Sequence, residues 1–275
     1  MAQIKFQKME GAGNDFVVID NREAQFSLEE IIAFTPKLCD RRFGIGADGL
    51  MALENPSIDN VDYTMLYRNA DGSDAGMCGN GSRCLALFAA TRGFNSSQIF
   101  NVHNSIYKAE VELDHQRVSV GFPDVKAPVS LELDKTKFIQ VYTGTEHVVQ
   151  FVDQSLLEDE KELANTGSKI RYHEILNPPG TNVNFVSLIQ KEAIELQTYE
   201  RGVEGLTLAC GTGAIASAIA THFHENTAGS SFNYSVKVKG GVLSVRFNFN
   251  KKENIYQNIQ LIGPANFVFE GIVHV

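Results

Sequence analysis

Short alternations of apolar and polar residues run through most of this chain, and only a few stretches change to helical spacing. Runs rich in Val, Ile, Phe and Tyr predict strands over 61–67, 106–113, 117–122, 138–142, 147–152, 183–188, 193–199, 234–239 and 242–249. Asp114-His115 and Gly240-Gly241 sit between such runs and read as hairpin turns. Helices are predicted over 28–39, 80–92 and 212–225. The second carries Leu85, Phe88 and Ala89 on one face and stops near Gly93; the third carries Ile215, Ala218, Ile219 and Phe223. Strands and helices do not alternate regularly, so the expected class is α+β rather than α/β.

The pattern also repeats. Met77-Cys78-Gly79-Asn80-Gly81 leads into one predicted helix, and Ala209-Cys210-Gly211-Thr212-Gly213 leads into another. Upstream of each, a Gly- and Asn-containing loop enters an apolar strand, Gly11 to Val17 in one case and Gly180 to Val186 in the other. Downstream, a strand run ends in a Gly/Pro turn, at Gly121-Phe122-Pro123 and at Gly263-Pro264. The same ordered set twice predicts two homologous halves facing each other across a cleft. The expected division is 1–126, carrying Cys78, and 127–264, carrying Cys210, with a linker at 123–136. The segment 153–180 is polar, without clear periodicity, and reads as surface elaboration of the second half.

Composition narrows the function. With 275 residues, 43% of them hydrophobic, the chain can bury a large core without disulfides or metals. A formal net charge of −9 and the lack of a Lys/Arg cluster argue against nucleic acid. No run approaches the ~18 apolar residues of a membrane span, and the N-terminus lacks the pattern of a signal peptide. The expected location is therefore the cytoplasm, with all four cysteines (Cys39, Cys78, Cys84, Cys210) reduced. None has a spacing that suggests a metal site.

Cys39 and Cys84 read as small buried hydrophobes. Cys78 and Cys210 differ, because both occupy a glycine-flanked helix start. The free N–H groups there form an anion site, and the same field favours thiolate over thiol. Two such sites suit a carboxylate held between Gly79, Asn80, Gly211 and Thr212. Donors aimed at that carboxylate would stabilise the charge that spreads into it when an α-proton is removed. One thiolate would take the proton and the other thiol would deliver one to the far face, inverting the carbon with no pyridoxal phosphate or metal.

The chain resembles the diaminopimelate epimerase family over nearly its whole length. The resemblance is carried by Lys8-Met9-Glu10-Gly11-Ala12-Gly13-Asn14-Asp15-Phe16, by Cys39 to Leu50, by Asn69-Ala70-Asp71-Gly72-Ser73 with Met77 to Cys84, by Tyr199 to Val203 and by Leu208 to Gly213. It implies two similar domains, each with strands wrapped round a central helix, the C-terminal strand (about 265–275) returning to the first. It implies Cys78 and Cys210 as the acid/base pair acting without a cofactor. Gly79-Asn80 and Gly211-Thr212 would bind the reacting carboxylate, and Asn14, Asn69, Asn182, Glu200 and Arg201 the rest of the substrate. His147 and Glu200 would tune the cysteines. The activity implied is interconversion of LL- and meso-diaminopimelate, in lysine and peptidoglycan synthesis. The partner is then a small amino acid, and a homodimer is left open.

Alternative readings stand beside these roles. Asn14 and Asn69 also suit turns, Arg201 a surface ion pair with Glu200, and His147 a packing role. Three positions depart from the family pattern: Gly49, Thr145 and Leu206. They touch recognition of the substrate's far end rather than the cysteines. The rival functions are a two-cysteine racemase for another amino acid, an isomerase of the phenazine-biosynthesis type, and a non-catalytic amino-acid binder.

Overall fold

The computed structural model describes residues 3–275. The chain forms two compact units, one up to Val120 with Gly263–Val275 added, the other Gly121–Ile262. Eighteen strands carry nearly half of the described residues, so the class is α+β, as the alternation of apolar and polar positions predicts.

The first unit opens with β1 (Gln3–Gly11) and β2 (Asn14–Asp20), an antiparallel pair. A short helix α1 (Asn21–Ala24) and α2 (Leu28–Cys39) follow. The start of α2 is set by a capping box, in which the Ser27 hydroxyl accepts from the Glu30 N–H and the Glu30 carboxylate accepts from the Ser27 N–H. Then come β3 (Gly49–Glu54), parallel to β2, and β4 (Tyr63–Asn69), antiparallel to β3. The helix α3 (Gly79–Thr91) leads to β5 (Ser97–Val102), parallel to β4, and on to β6 (Ser105–Glu112) and β7 (Arg117–Phe122) as antiparallel neighbours.

The second unit repeats this order. After β8 (Val125–Lys126) and β9 (Val129–Leu133), β10 (Thr136–Tyr142) and β11 (Glu146–Phe151) form an antiparallel pair. The helices α4 (Gln154–Leu157) and α5 (Glu160–Arg171) precede β12 (Asn182–Gln190), which runs parallel to β11. Next, β13 (Ala193–Glu200) is antiparallel to β12 and is followed by the short β14 (Gly205–Thr207). The helix α6 (Gly211–Glu225) leads to β15 (Ser231–Val238), parallel to β13, then to β16 (Gly241–Asn250) and β17 (Ile255–Pro264). The sequence of pairings around α3 recurs around α6, so the repeat read from the motifs is a repeat of architecture. Finally β18 (Asn266–His274) pairs antiparallel with β1.

Each unit is built round its long central helix. Every residue of α3 from Gly79 to Ala89 is buried, and the helix packs on β1, β2, β3 and β6. In α6 burial extends almost unbroken from Gly211 to His222, against β10, β11, β12, β13, β15 and β16. A helix covered by strands on all sides has no solvent face to show, which explains the weak amphipathic pattern of both.

Two stretches differ from the sequence expectation. Residues 123–136 are not a bare linker, since β8 pairs with β17 and β9 with β10. Within 153–180, α5 is a regular helix whose Leu163, Gly167 and Ile170 face inward. Gly167 is required there because a side chain would run into the Tyr199 ring; a glycine on the buried face hides the helical period. Among the described residues no helix is long and apolar enough to cross a membrane.

Candidate active site

Both cysteines are helix N-caps, and their backbones match. Cys78 has φ −113° and ψ 115°, and its sulfur accepts the Gly81 N–H at 3.4 Å. Cys210 has φ −117° and ψ 114°, and its sulfur accepts the Gly213 N–H, also at 3.4 Å. The extended backbone at each cap turns the sulfur back over the helix start, where the first-turn N–H groups and the helix dipole favour a negative charge. The Thr212 hydroxyl lies 3.6 Å from the Cys210 sulfur. Gly213 has no room for a side chain, because a Cβ would come within 2.6 Å of the Asn184 Oδ1 and 3.2 Å of the Cys210 sulfur.

The other two cysteines sit elsewhere. Burial pushes the Cys39 thiol up to about 12, with Lys8 pulling the other way. Burial raises Cys84 further still, although Arg83 opposes it. Both remain thiols at neutral pH, consistent with packing roles.

Of the remaining predicted residues, Asn14, Asn69, Gly79 and Asn80 lie in the first unit with Cys78; His147, Asn182, Glu200, Arg201, Gly211 and Thr212 lie in the second with Cys210. In the first unit the Asn80 amide donates to the Asn14 Oδ1 at 2.6 Å, and the Asn14 amide donates to Asp48 at 2.8 Å. Asn69 stands apart from this pair. It closes β4 opposite Gly49 and donates to the Ser73 hydroxyl at 3.0 Å. A side chain at Gly49 would collide with the Arg68 carbonyl and the Tyr67 ring, so the departure from the family pattern there has a local steric cause.

Behind Asn14 lies an ionic cluster that sequence reasoning missed. Asp15 accepts from Lys8 at 2.6 Å and from Arg41 at 2.7 Å, and Arg41 also reaches Asp48 at 2.8 Å. The buried Lys8 ammonium donates to the Gly46 carbonyl as well. All four residues occur in the motifs quoted above, but no local spacing pairs them. Burial of Asp15 opposes its ionisation; Arg41 and Lys8 outweigh that and hold its carboxyl at about 2. Because the folded value lies below the ordinary carboxylate range, the stabilisation is present at neutral pH and is lost as pH falls from about 4 through about 2. Asp15→Asn is expected to cost about 2 kcal/mol at pH 7 and much less at pH 2. Urea unfolding at the two pH values checks this, and equal losses at both would contradict it.

In the second unit, the Asn182 side chain is occupied by backbone. Its amide donates to the Glu146 carbonyl at 3.0 Å and its Oδ1 accepts the Arg201 N–H at 2.9 Å. Arg201 pairs with Glu146, at 2.8 Å, and donates to the Thr145 hydroxyl at 2.8 Å and the Gly180 carbonyl at 3.2 Å. Thr145 therefore orients the arginine. Leu206 lies in β14, opposite Tyr199, and packs on the apolar cluster of this unit.

His147 is fully buried. Desolvation, followed by the nearby Arg201 charge, drives its pKa down to about 3, so the ring is neutral. Asn184, another residue the sequence reading passed over, lies 3.0 Å from His147 Nδ1 through its amide nitrogen and donates to the Val148 carbonyl at 3.1 Å. A carbonyl only accepts, and this bond fixes the amide's orientation, which the Thr198 hydroxyl reinforces by donating to the Asn184 Oδ1 at 2.9 Å. The amide nitrogen then faces Nδ1 as a donor, and the imidazole proton is on Nε2.

Comparison with known proteins bears on the family and the fold. The family model described as diaminopimelate epimerase matches residues 6–125 and 139–268. The diaminopimelate epimerase of Flavobacterium psychrophilum is 41% identical over 97% of this chain and 99% of its own length. That of Aquifex aeolicus is 38% identical over 98% and 97%. Among solved structures, a phenazine biosynthesis protein of the PhzF family from Bacillus anthracis has a TM-score of 0.75 at 13% identity, covering 100% of both chains. A hydroxyproline epimerase from Agrobacterium vitis with bound trans-4-hydroxy-L-proline has a TM-score of 0.73 at 13% identity, covering 99% of this chain and 91% of its own. These two likenesses speak for the fold alone. With the family model matched across most of the sequence and relatives of this identity aligned over nearly its full length, the chain belongs to the diaminopimelate epimerase family.

Proposed function

We propose that this protein is a diaminopimelate epimerase, interconverting the LL and meso forms by two-base proton transfer between Cys78 and Cys210. The observation that carries the mechanism is the identical capping geometry of the two cysteines, each with its sulfur accepting an N–H from the first turn of its helix. An N–H donated to sulfur stabilises the thiolate, the form able to remove a proton.

In one direction, a thiolate takes the α-proton: the carbon–hydrogen bond breaks, a sulfur–hydrogen bond forms, and the electron pair spreads into the carboxylate. The helix-start N–H groups at Gly79-Asn80 and Gly211-Thr212 stabilise that charge. The second cysteine, as thiol, donates its proton to the opposite face of the carbon. The two cysteines end with exchanged protonation states, ready for the reverse reaction. Arg201, oriented by Thr145 and Glu146, offers its remaining donors to the distal carboxylate. Neither pyridoxal phosphate nor a metal enters this scheme. The reaction belongs to lysine and peptidoglycan synthesis, in the cytoplasm.

Isotope incorporation tests the two-base step. Starting from one pure isomer in deuterated water, the inverted product should carry deuterium at the α-carbon from the first turnovers, while recovered starting isomer stays largely protonated. A single swivelling base would return the original proton to the product. Mass spectrometry of isomers separated by chiral chromatography reads this directly, and early product lacking deuterium would end the two-thiol scheme.

A further inference from the structure

The two cysteines share a backbone geometry, but not the charge placed beneath them. Counting from each cysteine, the position occupied by Arg83 in α3 is occupied by Ile215 in α6. Arg83 is fully buried. Its Nη1 donates to the Gly79 carbonyl at 3.0 Å, its Nη2 to the Asn80 Oδ1 at 2.8 Å and its Nε to the Pro264 carbonyl at 3.2 Å. All three acceptors are neutral, and among the described residues no carboxylate lies within ion-pair distance of the guanidinium. Burying a cation without a counter-ion is costly unless an anion is expected there.

The ionisable groups facing this guanidinium are Cys84 and Cys78 on its own helix and Glu10 on β1. Cys84 is a buried thiol held protonated. Glu10 lies outside ion-pair distance of the guanidinium and accepts from the Gly13 N–H at 3.0 Å and from the Asn266 amide, neutral donors that do not cancel a carboxylate's charge. From β2 and β3, the Phe16 ring and Met51 lie against Gly81 and are apolar, and Asn14, bonded to Asn80, is neutral. On α3 itself, Cys78 is the group that this positive charge favours as an anion. In the second unit, Asn184 lies under the helix start against Gly213, the His147 it binds is neutral, and Arg201, whose charge acts on His147, is paired with Glu146.

We infer that Arg83 is a positioning residue for the reaction: it fixes Gly79 and Asn80 at the start of α3 and supplies the buried positive charge against which Cys78 rests as thiolate, while Cys210 rests as thiol. This rests on the two-cysteine reading, and it assigns the free enzyme one of the two protonation states that reading allows. The duplication supplies two equivalent caps; Arg83 makes them inequivalent.

The test is the pH dependence of iodoacetamide alkylation, followed at each cysteine separately by peptide mass spectrometry on the full chain without substrate. In the native protein the rate inflection of Cys78 should lie at least about one pH unit below that of Cys210, since a unit corresponds to a tenfold change in thiolate fraction below the inflection. In Arg83→Met the Cys78 inflection should rise by a similar amount while that of Cys210 stays put, and Arg83→Lys should keep it low. The acid limb of the epimerase pH–rate profile should shift with it. A native Cys78 inflection at or above that of Cys210 overturns the inference even if Arg83→Met does not fold. An unmoved Cys78 inflection in a folded Arg83→Met, judged by circular dichroism, overturns it equally. Alkylation needs no turnover, so failure here leaves the isotope test standing, and failure there leaves this one readable.

Discussion

Cys78→Ala and Cys210→Ala each lower kcat/KM for inversion by at least about a thousandfold, because each direction of the reaction needs one thiolate and one thiol and neither can serve as both. The caps offer a check that the loss is chemical rather than structural. An alanine at an N-cap removes the acceptor for the Gly81 or Gly213 N–H and costs up to about 2 kcal/mol of stability. Cys78→Ser and Cys210→Ser keep an acceptor there, so they should fold like the native chain and still be inactive, a hydroxyl being far less acidic than a thiol. Cys39→Ser and Cys84→Ser should retain catalysis, since both thiols are buried and protonated. Chiral chromatography of product, with circular dichroism of each variant, checks all of these. Efficient inversion by either alanine variant would remove that cysteine from the mechanism.

Arg201→Lys should lose about 2–4 kcal/mol in transition-state stabilisation for a dicarboxylic substrate, roughly 30- to 1,000-fold in kcat/KM. The guanidinium already donates to Glu146, Thr145 and Gly180, and a planar fork still has N–H groups left for a carboxylate. An ammonium has three donors in all, so it cannot keep these partners and also make two parallel bonds. The ion pair with Glu146 is partly exposed, so its loss should change stability by less than about 1 kcal/mol. Glu146→Gln, which leaves the Thr145 bond in place, should have a smaller kinetic effect than Arg201→Lys. Unchanged kcat/KM in Arg201→Lys would point to a substrate with a single carboxylate.

The parts legible in the sequence were those governed by local chemistry. The range read for α2, 28–39, is the observed helix because Ser27 and Glu30 set its start within one turn. The Cys-Gly-x-Gly motifs marked the starts of α3 and α6 because an extended cap followed by glycine admits few other backbones. Partnerships created by strand register were not legible. Glu146 meets Arg201 because β11 lies parallel to β12, with His147 opposite Asn182, and Asn182 in turn receives the Arg201 N–H. Arg83 was visible in the quoted motif, but its burial with no carboxylate in ion-pair distance among the described residues is a property of the packed interior.

The pairing of β1 with β18 has a consequence for how the chain is made. During synthesis β1 leaves the ribosome long before its partner on one edge, β18, since the whole second unit lies between them. Gly121–Ile262 is continuous in sequence, so the second unit has all its strands before the first is complete. Until Asn266–His274 arrives, β1 presents an unpaired edge, the kind of surface that invites pairing with other chains. Lys5 stands exposed on that strand, and a charged residue on a waiting edge is a common guard against such pairing. The first unit is therefore completed after the second, and deletion of Asn266–His274 should harm nascent-chain solubility more than its small share of the length suggests.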